Sequence, residues 1–175
     1  EAIAAPVGKH DEVVIAARVD SGIEFIEDLQ PGARIAVTRH PDVNLIGMIM
    51  LQPADLDASS TLTVVLPSYV LVVKSLLRGE ADVAFFLKDA YDELSQLAKK
   101  RMRILVTSQI SVIRHVMLIG PEALPVGDRL RSALLGMGSA PRGRALLDSL
   151  GIAGWEAQGA EETEFMIDVM DSLIE

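Results

Sequence analysis

The sequence predicts an α/β fold, a mostly parallel sheet with flanking helices followed by a helical C-terminal segment. Three observations carry this reading. Short β-rich runs alternate with helical stretches between Val13 and Val106, the pattern of strand–helix–strand units. From Pro121 onward the apolar residues recur at helical spacing. The chain has 175 residues, half of them hydrophobic but only 4% aromatic, so Ala, Val, Ile, Leu and Met must fill one well-buried core.

Taken in order, Val13–Val19 reads as a strand that ends in the turn Asp20-Ser21-Gly22. Ile23–Leu29 is a short helical turn closed by Pro31-Gly32, and Ala33–Val37 is a second strand. Thr38-Arg39-His40-Pro41-Asp42 breaks the pattern before an apolar helix that runs to about Leu51. Pro41 suits its first turn, where a missing N–H costs nothing. Thr61–Leu66 is a third strand. Pro67-Ser68 then opens a helix to Leu77, with Ser68 as N-cap and Gly79 as the stop. Asp82–Leu87 is a fourth strand, and Asp89–Lys100 a helix with Tyr91, Leu94, Leu97 and Ala98 on one face. Met102–Val106 and Val112–Ile119 are further strands. Leu130, Leu134 and Met137, then Ala145, Leu146 and Leu150, then Phe165 to Leu173, mark the closing helices.

Composition removes several function classes. With no cysteine there is no disulfide, thiolate catalyst or Cys-based metal site. A net charge of -9 opposes nucleic acid as partner, because phosphate backbones need a basic face. Apolar runs such as Leu45–Leu51 fall far below the ~18 residues of a membrane span, so direct membrane insertion is not expected. Charge is nonetheless uneven: residues 1–98 carry -8, 99–144 carry +7 and 145–175 carry -8. The basic middle fits either an anion-facing surface or the end of a helix, where Lys99, Lys100, Arg101 and Arg103 suit the dipole.

No motif for an enzyme stands out. The sequence has no GxSxG, GxxxxGK[ST], HExxH or strand-following GxGxxG. His10, His40 and His115 lack metal-ligand spacing, and Asp89, Asp92 and Glu93 read as a solvated helix face. No cofactor, metal or catalytic residue is expected. Binding is better supported, because ligands of parallel α/β sheets sit at the carboxyl ends of strands, beside helix N-termini. Two such turns are polar: Thr38-Arg39-His40 after one strand and Pro67-Ser68-Tyr69 after the next. Their hydroxyls, guanidinium and imidazole suit a small anionic or zwitterionic molecule. Capping alone would equally explain Ser68, and solvation Arg39. Tyr69 with Phe85 and Phe86 forms an aromatic wall or simply core.

At this level the chain resembles the type 2 periplasmic binding proteins, and among them the phosphate/phosphonate-binding component of ABC transporters. The resemblance is carried by VIAARVDSGIEFIEDLQPGARIAV at Val14–Val37, LLRGEADVAF at Leu76–Phe85 and MRILVTS at Met102–Ser108. The fourth piece is ALLGM with GRALLDSLG between Ala133 and Gly151. It implies a solute-binding protein of an ABC-type uptake system, periplasmic or otherwise extracytoplasmic, that captures a small anion by lobe closure and meets a membrane permease. It further implies a division into 1–19 as hinge strand and lead-in, 20–108 as second lobe, and 109–175 as return strand and C-terminal helices of the first lobe. The N-terminal strand–helix–strand part of that first lobe is then absent from this chain. By carry-over, Thr38, Arg39 and His40 fall on the anion loop, where the family often has a Ser-x-Ser-Gly run. Ser68 and Tyr69 fall on a Ser-His-type contact, and Phe86 just past the Gly-x-x-Asp strand. Arg114 and His115 match the strand that returns through the hinge. The alternative is the ligand-sensing effector domain of a transcription regulator or sensor with the same fold. Whether two chains pair as a dimer stays open.

Overall fold

The computed structural model describes residues 1–111 and 113–172. In chain order the strands are β1 (Ala2–Pro6), β2 (Val13–Arg18), β3 (Arg34–Val37), β4 (Leu62–Val65), β5 (Val83–Leu87), β6 (Met102–Thr107), β7 (Met117–Leu118) and β8 (Trp155–Ala157). The helices are α1 (Pro41–Ile49), α2 (Tyr69–Leu77), α3 (Lys88–Asp92), α4 (Gln96–Lys99), α5 (Gly127–Leu135), α6 (Pro141–Ser149) and α7 (Ala160–Ser172). The described residues divide into two compact units, one built from residues 11–110 and the other from residues 1–10, 111 and 113–172.

The unit of residues 11–110 is a five-stranded sheet in the order β4-β3-β5-β2-β6. β3 is parallel to β4 and β5, while β2 is antiparallel to β5 and β6. Four strands therefore run the same way and β2 alone opposes them. β2, which the resemblance assigns to the hinge strand and lead-in, pairs as an inner strand of this sheet. The chain leaves β3 toward β4, then returns from β4 past β3 to β5. With right-handed crossovers, α1 and α2 must lie on opposite faces of the sheet.

Successive side chains of β5 show this directly. Phe85 meets α1, where Gly47 lies so close that an added Cβ would sit 2.3 Å from the ring. Phe86 points the other way, into the cluster of Val14, Ala16, Ala36, Ala84 and Met102 with Val72, Val73 and Leu76 of α2. Both rings are essentially inaccessible. A sheet covered on both faces explains the near-continuous apolar runs of β2 and β5.

The long helix expected over Asp89–Lys100 is broken into α3 and α4. Ser95 supplies the break, its hydroxyl accepting the Ala98 N–H at 3.3 Å as N-cap of α4. At the end where the chain enters and leaves this unit, Ser108 and Glu12 tie the two segments together. Val13 N–H donates to Ser108 Oγ at 2.8 Å, Ser108 Oγ–H donates to the Glu12 carboxylate, and Ile110 N–H donates to the same carboxylate at 3.1 Å.

The second unit centres on β1, fully buried, with β7 and β8 antiparallel on its two sides. Two expectations change here. Of Val112–Ile119, only Met117–Leu118 is strand, and Val112 lies outside the described residues. The region after Pro121 is not wholly helical, because Trp155–Ala157 pairs with β1. A three-residue strand flanked by Gly154 and Gly159 is too short to show alternation. Arg114 sits outside any strand and is held by Glu156 and, at 2.6 Å, by the Gln158 amide oxygen, a structural ion pair.

Candidate functional site

The carboxyl ends of β3 and β4 lie side by side, and the connections leaving them go to opposite faces. Open α/β sheets hold their ligands in the crevice outside such carboxyl ends. A pocket of about 330 Å³ occupies this position, lined by Arg39, Val65, Leu66 and Pro67.

Thr38, next to Arg39 in the chain, and Asn44 of α1 are polar residues at the same end of β3. Thr38 is only 4% exposed, and its hydroxyl is buried without a hydrogen-bond partner among the described residues. Asn44 donates from Nδ2 to the Thr38 carbonyl at 3.0 Å, while its Oδ1 is buried and unpartnered. Such orphaned groups cost ~1–3 kcal/mol each unless something satisfies them. Asn44 was not visible as a site residue in the sequence, because it lies a full turn inside α1; its one signal was being a polar residue in an otherwise apolar helix face.

His40 is the N-cap residue of α1, with extended backbone and no side-chain cap hydrogen bond. Its imidazole is therefore released from capping and stacks on Tyr69, ring centroids 5.8 Å apart and planes 14° apart. The first intrahelical bond of α1 is Asn44 N–H to the His40 carbonyl, which leaves the earlier N–H groups of that turn unpaired within the helix. Asp42 occupies the same turn. The positive charge of the crevice thus rests on Arg39, which is exposed.

Ser68 caps α2 as the sequence indicates, its Oγ accepting the Leu71 N–H at 3.4 Å. Tyr69 opens α2 and uses its phenolic oxygen to accept the Leu87 N–H at 3.0 Å. From it an aromatic stack runs inward: Tyr69 to Phe86 at 5.7 Å, Phe86 to Tyr91 edge-on at 5.6 Å, and Lys99 Nζ 5.8 Å from the Tyr91 ring centre. Burial raises the Tyr91 phenol above its ordinary pKa.

The structure therefore brings Thr38, Arg39, His40, Ser68 and Tyr69 to one end of the sheet. Phe86 is different. It is completely buried and reaches the crevice only through Tyr69, so it supports the site rather than lining it. Chemically, the arrangement offers a guanidinium, an unpaired hydroxyl, an imidazole and two helix N-termini beside an apolar wall of Val65, Leu66 and Pro67. Among the described residues no group of three or more His, Asp or Glu side chains is placed to hold a metal ion.

This is the fold of the type 2 periplasmic binding proteins. PhnD1 from Prochlorococcus marinus, solved in complex with methylphosphonate, superposes with a TM-score of 0.76 at 10% identity. The match covers 98% of this chain and 70% of that one. A protein of Xanthomonas citri bound to ATP gives 0.73 at 20% identity over 98% and 71% of the two chains. The periplasmic aliphatic sulphonate-binding protein SsuA of Escherichia coli gives 0.70 at 15% identity over 99% and 63%. No curated sequence matches significantly. The family model described as "ABC transporter, phosphonate, periplasmic substrate-binding protein" matches residues 1–163. The chain belongs to that family, whose members work outside the cytoplasm as the substrate-binding components of transporters. No helix of the described residues is long and apolar enough to cross a membrane.

Proposed function

We propose that this chain captures a small anion with a phosphonate- or sulfonate-like head at the carboxyl ends of β3 and β4, for delivery to an ABC permease. The observation that carries the reading is the buried, unpartnered Thr38 hydroxyl beside Arg39 and the His40–Tyr69 stack. A tetrahedral oxyanion accepts hydrogen bonds from a hydroxyl, a guanidinium and free helix N–H groups together. The pocket wall of Val65, Leu66 and Pro67 suits a short apolar substituent on that head. In this reading the unit of residues 11–110 is the second lobe, the remaining residues belong to the first, and capture proceeds by lobe closure.

The reading is tested by thermal denaturation with methylphosphonate, an alkylsulfonate, phosphate, sulfate, amino acids and polyamines. A ligand of the folded state adds ~2.7 kcal/mol at a hundredfold excess over Kd, a clear rise in melting temperature. A rise with one tetrahedral anion supports the proposal. A rise with polyamines alone, or with none of these compounds, overturns it.

A further inference from the structure

β4 is the terminal strand of its sheet, and all four of its residues are exposed, with Leu62 at 59%, Val64 at 46% and Val65 at 50%. Edge strands are ordinarily guarded by lysine, proline or a bulge. Leu62-Thr63-Val64-Val65 carries no charge or proline, and its register with β3 is unbroken.

We propose that β4 is a self-association edge, pairing antiparallel with β4 of a second copy about a two-fold axis at Val64. The hydrogen-bond phase of the strand sets this register. Leu62 N–H donates to the Ala33 carbonyl and Leu66 N–H to the Val37 carbonyl, so the even-numbered positions face β3. Thr63 and Val65 direct their N–H and C=O groups toward the open edge. Opposing strands then match Thr63 with the partner's Val65, each pair exchanging both backbone bonds, while Val64 meets the partner's Val64 across the axis. Pro67, which has no N–H, ends the ladder.

Charge favours a second copy over an unrelated strand. The turn before β4 carries Asp57, whose carboxylate accepts the backbone N–H groups of Ser59 and Ser60 at 2.9 and 2.8 Å. Arg39 lies at the opposite end of β4, beside Val65. Antiparallel pairing brings each acidic turn toward its partner's basic end. A four-residue edge is small beside the ~800 Å² per partner of a standard interface. The association is accordingly weak and concentration-dependent. It does not rest on the anion reading, and its test leaves Arg39 untouched.

The experiment is sedimentation of the full chain from micromolar to about 1 mM, with V64K, V64E and an equimolar mixture of the two. Because position 64 faces itself across the axis, each variant alone should stay monomeric and the mixture should recover a dimer. Circular dichroism confirms that these surface substitutions leave the fold intact. A wild-type chain that remains monomeric throughout, as it would if the edge receives an extended segment of another protein, overturns the proposal. So does a V64K chain that still dimerises, or a mixture that does not.

Discussion

The imidazole of His40 lies nearly flat on the phenol ring of Tyr69, joining the residues that open α1 and α2 from opposite faces of the sheet. Neither ring is free to serve only a ligand. Tyr69 also accepts the Leu87 N–H, so its position is tied to the end of β5. Tyr69→Phe should keep the stack but leave that N–H unpaired, costing about 1 kcal/mol of stability with little change in anion affinity. Tyr69→Leu removes stack and hydrogen bond together and should lower affinity as well. Chemical denaturation and titration calorimetry on the same two variants separate the effects.

Arg39→Ala should weaken binding of the tetrahedral anion by tenfold or more, about 1.4 kcal/mol or greater. Arg39 makes no ion pair among the described residues, and the melting temperature should stay unchanged. An unaltered Kd in calorimetry removes Arg39 from the site.

Ser68→Ala tests capping against ligand contact. The cap hydrogen bond is long at 3.4 Å, so the stability cost should fall toward the lower end of ~0.5–2 kcal/mol. A loss of affinity beyond that cost would show that the hydroxyl also reaches the ligand.

Gly47→Ala should be strongly disruptive for an exchange of hydrogen for methyl. The new Cβ would lie 2.3 Å from the Phe85 ring, which is buried and has no room to retreat. Overpacking of this kind costs about 1–3 kcal/mol. A melting temperature equal to wild type would show that α1 slides freely over β5.

Asp82 accepts the Arg34 backbone N–H at 2.8 Å and two guanidinium hydrogen bonds, at 3.1 and 2.6 Å. The Arg34 guanidinium is the main cause holding its pKa below the ordinary 3.8. A depressed carboxylate stabilises the fold fully above its unfolded pKa and loses that contribution as pH falls through the folded value. Asp82→Asn should therefore lower stability at neutral pH and flatten the acid limb of the stability profile below about pH 4. The Arg34 and Asp82 side chains are 42% and 32% exposed, so solvent screening keeps the effect modest. Denaturation midpoints at several pH values check it.

The elements around the crevice were legible because each carries its own punctuation. Pro41 at a helix start, Ser68 as a cap and Gly79, at φ 72°, as a stop mark positions where backbone chemistry permits few alternatives. The two candidate loops are legible for a topological reason, since polar turns at strand carboxyl ends are where open α/β sheets hold ligands. Phe86 was not separable from a lining residue, because burial depends on where α2 docks and not on the local pattern. β1 and β8 escaped notice for a similar reason. Ala2–Pro6 has too little β-branching, and Trp155–Ala157 is strand only because β1 is there to pair with it.

Optically, the aromatic stack gives the chain its own reporter. The sequence has only two tyrosines, and Tyr69 and Tyr91 both lie in the same file of rings, with Phe86 between them. The single tryptophan, Trp155, belongs to the other unit. Every tyrosine signal in this protein therefore comes from the unit of residues 11–110, and the tryptophan signal comes from the other unit. Two spectral bands read the two halves of the molecule without any added label.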